Sequence, residues 1–190
     1  MLELNDVLLE GEHGTLSMMA REGQVTCLTP SSAHSASPSA AMRWIYALLG
    51  FEEVVCGYIS IDAEPLTAAS AAVMRRMMAF VPQRLDDIGQ VDVYHAPDVQ
   101  QVFALKANRG LPISNGLLSE EMKRTGVSGQ RARLLAVGVL LDRPILLVDS
   151  PEAASMGYLR QQAQKGRTVV VVSSNPAVVQ ASDNVVELPA

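Results

Sequence analysis

The chain contains two kinds of hydrophobic pattern: alternating apolar and polar residues near its start, and continuous apolar runs further along. Near the start, apolar and polar residues alternate in LELNDVLLE, which predicts a half-buried strand, and TLSMMAREGQVTCLTP predicts a second strand pair with a turn at Glu22-Gly23. Later segments, PILLVDS and RTVVVVSSN, are apolar almost without a break. Such continuous runs are typical of strands that are buried on both faces of a parallel sheet.

Segments with helical spacing separate these strands. PSAAMRWIYALLG has Ser37 as a helix N-cap, Pro38 at the first helical position and Gly50 as a stop. TAASAAVMRRM, SGQRARLLAVGVLL and GYLRQQAQKG predict further helices, while GYISID, MAFVPQ and DNVVEL predict further strands. Helices alternating with apolar strands predict an α/β fold with a mainly parallel sheet covered on both faces.

Composition limits the class of protein. The 190 residues are 48% hydrophobic, which suits one domain with a substantial core, residues 1–190. The net charge is −5 and no basic–aromatic stripe is present, which argues against a nucleic-acid partner. Cys27 and Cys56 lie far apart without the spacing of metal ligands, so we expect two buried thiols.

The chain shows no signal for export or membrane insertion. Its start carries acids where a signal peptide needs basic residues, and the apolar run VGVLLDRPILLV is interrupted by Asp142, Arg143 and Pro144. We therefore expect a cytoplasmic protein.

Polar residues follow four of the predicted strands, where open α/β sheets bind their ligands. These strand ends are Leu28-Thr29-Pro30, Phe80-Val81-Pro82-Gln83, Val148-Asp149-Ser150 and Val172-Ser173-Ser174.

The order of these segments resembles the nucleotide-binding domain of ABC transporters. GQVTCLTP…MRWIYALLG is similar to the phosphate-loop region, MRRMMAFVPQ to the segment ending in the Q-loop glutamine, and GRTVVVVSSNPAVVQASDNVVEL to the H-loop and closing strands. GVSGQRARLLAVGVLLDRPILLVDSP is similar to the signature sequence LSGGQ, its helix and the Walker B strand. The resemblance covers nearly the whole chain, and the ungapped stretch from Gln130 to Pro151 is its most specific part.

The resemblance implies a P-loop NTPase-like fold. Its mainly parallel sheet would have an antiparallel N-terminal part, and a small helical subdomain would occupy about residues 84–135. The implied positions of a vestigial nucleotide site are Ser39, Ala40, Ala41, Met42, Gln83, Ser128, Gly129, Gln130 and Asp149. ATP and Mg²⁺ would be its cofactors only if the site retained function.

The phosphate loop departs from the family pattern. Such a loop needs glycines that let backbone N–H groups face phosphate oxygens, and a lysine that reaches the outer phosphates. Counting from the strand places Ala36 at the lysine position, and counting back from Gly50 places Ala41 there, so the loop is lengthened. No Lys precedes Lys106, and no Gly lies between Gly23 and Gly50. The family's phosphate cradle is therefore absent.

Four other positions depart as well. Ser150 stands where the family has the Glu that polarises water, and Ser174 stands where it has the H-loop His. Val127 occupies the signature Ser position, and Met156 aligns with the D-loop Asp. Asp149 is retained, either as a hydrogen-bonding group at a strand end or in a residual metal role. No catalytic residue is assigned with these replacements.

Structural roles explain several retained residues. We expect Gln83 to be a joint between the core and the helical subdomain, with an ordinary surface position as the alternative. Ser128 is expected to cap a helix through its hydroxyl. Arg131 and Arg133 are expected on a solvated helix face.

The sequence leaves three hypotheses of function. The first is a non-hydrolysing regulatory or scaffolding subunit that docks on a membrane permease, on a second ABC ATPase domain or on a copy of itself, in the cytoplasm or at the inner face of the membrane. The second is an ATP-binding transport subunit in which Arg43 or loop N–H groups replace the lysine. The third is a domain that binds another ligand at the serine-rich SSAHSAS loop.

The first hypothesis predicts a partner surface within about residues 84–126. Apolar side chains are more numerous there than a solvated loop needs. They include Val91, Val93, Tyr94, Val99 and Phe103.

Overall fold

The computed structural model describes residues 1–31, 38–83 and 116–189. The strands are β1 (Leu2–Leu9), β2 (Leu16–Ala20), β3 (Val25–Pro30), β4 (Val54–Ile61), β5 (Glu64–Pro65), β6 (Met78–Val81), β7 (Ile145–Asp149), β8 (Thr168–Val172) and β9 (Asn184–Leu188). The helices are α1 (Pro38–Leu48), α2 (Ala71–Met74), α3 (Leu117–Arg124), α4 (Gly129–Leu140), α5 (Met156–Gln164) and α6 (Pro176–Gln180). Ala36, Ser37 and the predicted partner surface at Val91–Phe103 lie outside the described residues, as does most of the predicted helical subdomain.

A parallel sheet forms the centre of the fold. Its strand order is β6-β7-β8-β3-β9, and each neighbouring pair is parallel. Every residue of β6, β7 and β8 is buried. The continuous apolar runs therefore predicted these strands correctly, because a strand covered on both faces needs no polar side.

A second, antiparallel sheet has the order β2-β1-β4-β5. The predicted antiparallel N-terminal part is confirmed, but β2 and β3 do not pair with each other across the turn at Gly23. Instead β2 pairs with β1, and β3 lies between β8 and β9. The burial patterns give the reason: β2 alternates, as a strand with one covered face does, whereas four successive residues of β3 are buried, which suits a strand of a sheet covered on both faces.

Two hydrophobic clusters hold the layers together. The first joins both sheets through α1, where Trp44, Ile45 and Leu48 are at most 1% exposed. The second packs α4 and α5 against the opposite face of the parallel sheet, with Leu135 and Leu159 fully buried. Each such side chain contributes about 1.5–3 kcal/mol to folding.

The two cysteines have different environments. Cys27 of β3 is buried as expected, and burial raises its pKa to about 11. Cys56 of β4 is exposed, so the expectation of two buried thiols was wrong for it. Cys56 lies in a run of four exposed residues in the first half of β4, an exposure that the residue types alone do not reveal. Among the described residues, no helix has the length and apolar character needed to cross a membrane.

Candidate functional site

Four strand ends meet at the carboxyl edge of the parallel sheet. In the order β6-β7-β8-β3, Val81 pairs with Val148, Asp149 with Val172, and Leu28 with Val172. The segments that follow these strands therefore lie side by side along one edge. The fold brings Gln83, Asp149 and Ser173-Ser174 to this edge, as the sequence predicted for a doubly covered parallel sheet.

Asp149 and Ser150 form a compact turn at the end of β7. Asp149 is only 8% exposed, and its Oδ1 accepts a hydrogen bond of 2.8 Å from the Ser150 hydroxyl. Ser150 has a φ of +45°, a left-handed conformation that costs a non-glycine residue about 1–3 kcal/mol. The Ser150 N–H donates to the Val172 carbonyl at 2.8 Å. The surrounding hydrogen bonds hold this turn, and the serine hydroxyl is directed at the Asp149 carboxylate.

The segment after β8 is also organised by hydrogen bonds. The Ser173 N–H donates to the Leu28 carbonyl at 3.0 Å, and the Ser173 hydroxyl accepts from the Asn175 N–H at 3.1 Å. Asn175 then caps α6 by accepting from the Ala177 N–H at 3.0 Å. Ser174, at the H-loop position, is exposed. Unlike an imidazole, the Ser174 hydroxyl does not titrate near neutral pH.

The segment at the start of α4 is exposed at Ser128, Gly129 and Gln130. Ser128 occupies the N-cap position with extended backbone angles, but its side chain makes no capping hydrogen bond. The prediction of a hydroxyl cap was therefore wrong. Gly129 has a φ of +61°, unlike a regular first helical turn, so the N–H groups that a capping hydroxyl would reach are rotated away.

A close backbone contact fixes the turn before α4. Gly126 has a φ of +77°, and a Cβ there would lie 2.4 Å from the Ala154 carbonyl oxygen. Val127, at the signature Ser position, packs against the second hydrophobic cluster. This turn is thus held against the loop that follows β7.

Arg131 departs most clearly from its sequence prediction. Its side chain was expected in solvent but is only 9% exposed, whereas Arg133 is exposed as predicted. The Arg131 Nη1 donates to the Pro82 carbonyl, and Nη2 donates to the Asp149 carbonyl at 2.6 Å. Burial lowers the pKa of Arg131, opposed by the nearby charges of Asp149 and Glu152.

The helical spacing of α4 contains a signal from which the burial of Arg131 could have been predicted. Leu135 and Gly138 follow it at four and seven residues, so all three lie on one face of α4. Gly138 approaches β6 so closely that a Cβ there would lie 2.5 Å from Val81 Cγ2. A cation on the face that packs against the strands has to find acceptors in the interior.

The first turns of α1 contain the other predicted positions. Ser39 and Ala40 lie in its first turn. Ala41 and Met42 are half-buried and pack against the first hydrophobic cluster. An apolar position at Ala41 is consistent with packing and supplies no charge for a phosphate.

Arg43, considered above as a replacement for the lysine, is held by other groups. Its Nη2 donates to the Glu10 carbonyl at 2.7 Å, and its guanidinium forms ion pairs with Glu12 at 3.2 Å and Glu52 at 3.3 Å. The hydrogen bond with Glu52 raises the pKa of Arg43. These acidic partners leave Arg43 poorly suited to receive a phosphate.

A buried hydrogen bond that was not predicted from the sequence joins α3 to α5. The Tyr158 hydroxyl donates to Glu121 Oε1 at 2.6 Å, while Glu121 Oε2 pairs with Arg124 at 3.2 Å. Burial raises the pKa of Tyr158 above its ordinary value. Met156, at the D-loop position, is buried at the start of α5.

Solved structures of ABC transporter cassettes share this fold. One of them is cbiO1 of Clostridium perfringens, which is part of the ABC transporter complex cbiONQ. It matches with a TM-score of 0.67 and 16% sequence identity, and the match covers 99% of this chain and 84% of cbiO1. A dimeric bacterial ABC transporter cassette matches with a TM-score of 0.67 and 18% identity, over 99% of this chain and 94% of its own. An ATP-binding subunit of an ABC transporter matches with a TM-score of 0.69 and 17% sequence identity, and the match covers 100% of this chain and 86% of that subunit.

The chain therefore has the fold of an ATP-binding cassette, which is a P-loop NTPase fold. The resemblance drawn from the order of segments is confirmed at the level of fold. No family model matches the chain.

Two curated relatives match along most of the chain. An ATP-dependent lipid A-core flippase of Ralstonia nicotianae is 24% identical, over 92% of this chain and 33% of its own length. The ATP-dependent lipid A-core flippase of Cupriavidus metallidurans is 25% identical, over 91% of this chain and 32% of its own length. The chain thus spans about one third of the length of these relatives.

Proposed function

We propose that this protein is an ABC-cassette-like subunit that does not hydrolyse ATP and acts by docking on a partner. The observation that carries the proposal is the turn at the end of β7. There the side chain that replaces the family's water-activating Glu is Ser150, whose hydroxyl donates to Asp149.

The chemistry of phosphoryl transfer explains why this matters. The reaction depends on positioned charges around the γ-phosphate and on a group that orients the attacking water. Ser150 offers a weakly acidic hydroxyl already directed at Asp149, and Ser174 offers a second hydroxyl where an imidazole is expected. Neither side chain is a base at neutral pH. With Ala36 or Ala41 at the lysine position, several contributions to the rate are lost together.

The residues at the strand ends fit magnesium poorly. Mg²⁺ prefers nearly octahedral oxygen ligands from carboxylates, waters and phosphates. Asp149 is the carboxylate at the end of β7, and its Oδ1 already accepts from Ser150. In the part of the chain that the structure describes, no group of three acidic, His or Cys side chains could hold a metal. The proposed docking role contains no phosphoryl-transfer step, and so it does not call for the ion.

A docking role agrees with what is exposed at this edge. Gln83, Ser128, Gly129 and Gln130 are exposed beside a rigidly bonded interior. One of the structures with the same fold is a dimeric cassette, and another belongs to a transporter complex. We propose a membrane permease subunit, a second cassette or a second copy of this chain as the partner, with the protein in the cytoplasm or at the inner face of the membrane.

The domain organisation proposed from the sequence accompanies this function. The chain would be a single domain with a helical subdomain at about residues 84–135. The described part of that subdomain is α3 and the first turns of α4, which the Glu121–Tyr158 hydrogen bond ties to α5. Its surface would carry partner binding.

A second candidate is an ATP-binding subunit that retains slow hydrolysis. The observation in its favour is that Asp149 and Gln83 both remain at the carboxyl edge of the sheet. The curated relatives are named as ATP-dependent proteins.

Phosphate release separates the two candidates. Purified protein is incubated with Mg²⁺-ATP, with an Asp149→Asn variant as the matched control. The proposal expects release at the level of the buffer for both proteins. Steady release by the wild type that disappears in Asp149→Asn would overturn the proposal and support the second candidate.

A further inference from the structure

The start of α4 is connected to the central sheet by a charged side chain inside the protein. Arg131 is one residue beyond the exposed segment Ser128–Gln130, yet it is 9% exposed. Its two terminal nitrogens donate to the carbonyls of Pro82 and Asp149, which stand at the ends of β6 and β7. One guanidinium thus links three segments that are 49 and 18 residues apart along the chain.

The chemistry of the guanidinium suits this role. Its planar fork has donors that diverge at fixed angles, so a single side chain can hold two acceptors at a fixed separation. Hydrogen bonds from a charged donor are stronger than neutral ones, and more so when they are buried. None of the residues that the structure describes accepts a hydrogen bond from the buried Arg131 Nε. The described hydrogen bonds of this guanidinium are all made by its two terminal nitrogens.

Both acceptors of the Arg131 guanidinium are backbone carbonyl oxygens, so these hydrogen bonds restrain the main chain itself. A bond to a carbonyl fixes the main chain, and here it fixes the residue before Gln83 and the residue before Ser150. On the other side of Ser128–Gln130, Gly126 lies against the Ala154 carbonyl. The segment is therefore held from both ends against the loop that follows β7.

We propose that Arg131 is a positioning residue that keeps the segment Val127–Gln130 docked on the ends of β6 and β7 when no nucleotide is bound. The segment then keeps the same position with and without nucleotide. This second statement rests on the proposed non-hydrolysing function, whereas the docking by Arg131 does not.

Hydrogen–deuterium exchange of the whole chain tests the docking without nucleotide. The Arg131→Met variant keeps an apolar stem and removes both bonds, and Arg133→Met is the matched control on the exposed side of the same helix. We expect amides in residues 116–131 and at Gln83 to exchange about tenfold faster in Arg131→Met, beyond any change in β3 and β8. In Arg133→Met the same amides should exchange as in the wild type.

The conservative variant shows whether the fork or only the charge is needed. In Arg131→Lys, an ammonium cannot hold both carbonyls in the same geometry, so we expect the same local acceleration, smaller than in Arg131→Met. If Arg131→Met does not fold, Arg131→Lys provides the test. Exchange at residues 116–131 that is unchanged, or that rises only as much as in β3 and β8, overturns the proposal.

Nucleotide independence is tested on the wild type. Exchange of residues 116–131 is compared with and without Mg²⁺-ATP, and phosphate release is measured in the same samples. Equal exchange supports the proposal, and slower exchange with nucleotide overturns its second part. Phosphate release alone would refute the proposed non-hydrolysing function and leave the docking by Arg131 standing.

Discussion

Two arginines in the helices that flank the parallel sheet show how this molecule uses cations. Arg43 in α1 is 29% exposed in its side chain and pairs with Glu12 and Glu52 on the side of the antiparallel sheet. Arg131 in α4 is buried and holds two backbone carbonyls. A half-buried ion pair is still partly screened by water, whereas a buried cation that loses its acceptors has no substitute for them.

The comparison teaches that both cations near the sheet edge serve the protein's own structure. In a cassette that hydrolyses ATP, a cation at the start of the first helix would face phosphate. Here the first turns of α1 carry Ala41 and Met42, which pack on the core, and the nearby cation is bound by acids. The cation of α4 is buried on backbone carbonyls and that of α1 is half-buried among acids, and the following predictions test what that difference does, in order of expected effect.

Among these predictions, a substitution in the turn before α4 should have the largest effect. Gly126→Val adds a Cβ that meets the Ala154 carbonyl oxygen at 2.4 Å, in a backbone with a positive φ. We expect a loss of about 3–4 kcal/mol in the free energy of unfolding, measured by urea titration. Gly129→Ala, also at a positive φ but with open space around it, should lose only about 1 kcal/mol. Equal losses would mean that the contact with Ala154 does not fix the turn.

Alkaline pH should destabilise the strand that leads to α1. Burial raises the pKa of Cys27 to about 11 from 9.0, so the folded protein holds this proton more tightly than the unfolded chain. The stabilisation is fully present below pH 9 and is lost as pH rises toward 11. We expect a loss of about 2–3 kcal/mol over that interval, and a smaller slope in Cys27→Ala. Urea titrations from pH 8 to 11 would measure this, and identical slopes in both proteins would contradict it.

The two arginines can be compared directly by the same substitution. Arg131→Lys should lower the free energy of unfolding by about 1–3 kcal/mol, because one of two buried carbonyls loses its charged donor. Arg43→Lys keeps a charge among acidic partners at the surface and should cost under about 1 kcal/mol. Urea titration of both variants at pH 7 is the measurement. A larger effect at Arg43 would reverse the comparison.

Added nucleotide should have the smallest effect. If Mg²⁺-ATP binds with a dissociation constant above 1 mM, then 1 mM nucleotide stabilises the fold by less than about 0.4 kcal/mol. Thermal unfolding with and without nucleotide measures this, and Ala41→Lys should not increase it, because the sequence also predicts a lengthened loop. A clear, saturable rise in melting temperature would show that the edge of the sheet still holds nucleotide.

Much of the candidate site could be predicted from the sequence, because it follows from strand order. Continuous apolar runs identified β7 and β8, and in a parallel sheet the polar residues after such strands must meet at one edge. That reasoning placed Gln83, Asp149 and Ser174 correctly at the edge. It could not find the role of Arg131, because its acceptors are backbone carbonyls, which every residue has.

The sequence by itself determined the elements and their order. Pro38 and Gly50 bound α1 closely, since one fixes a helical φ and the other adopts a φ of +73° that ends the helix. Continuous apolar runs identified β7 and β8 as strands of the parallel sheet, and the alternation in β1 predicted a half-buried strand. These are local signals, carried by residues within one segment.

Only the tertiary structure decided which segments meet. It placed β2 and β3 in different sheets, exposed Cys56, buried Arg131 and joined Tyr158 to Glu121 across 37 residues. Each of these outcomes depends on which other segments of the chain pack against a given helix or strand. A local pattern describes one face at a time, so the burial of a polar side chain is set by partners that arrive from elsewhere in the chain.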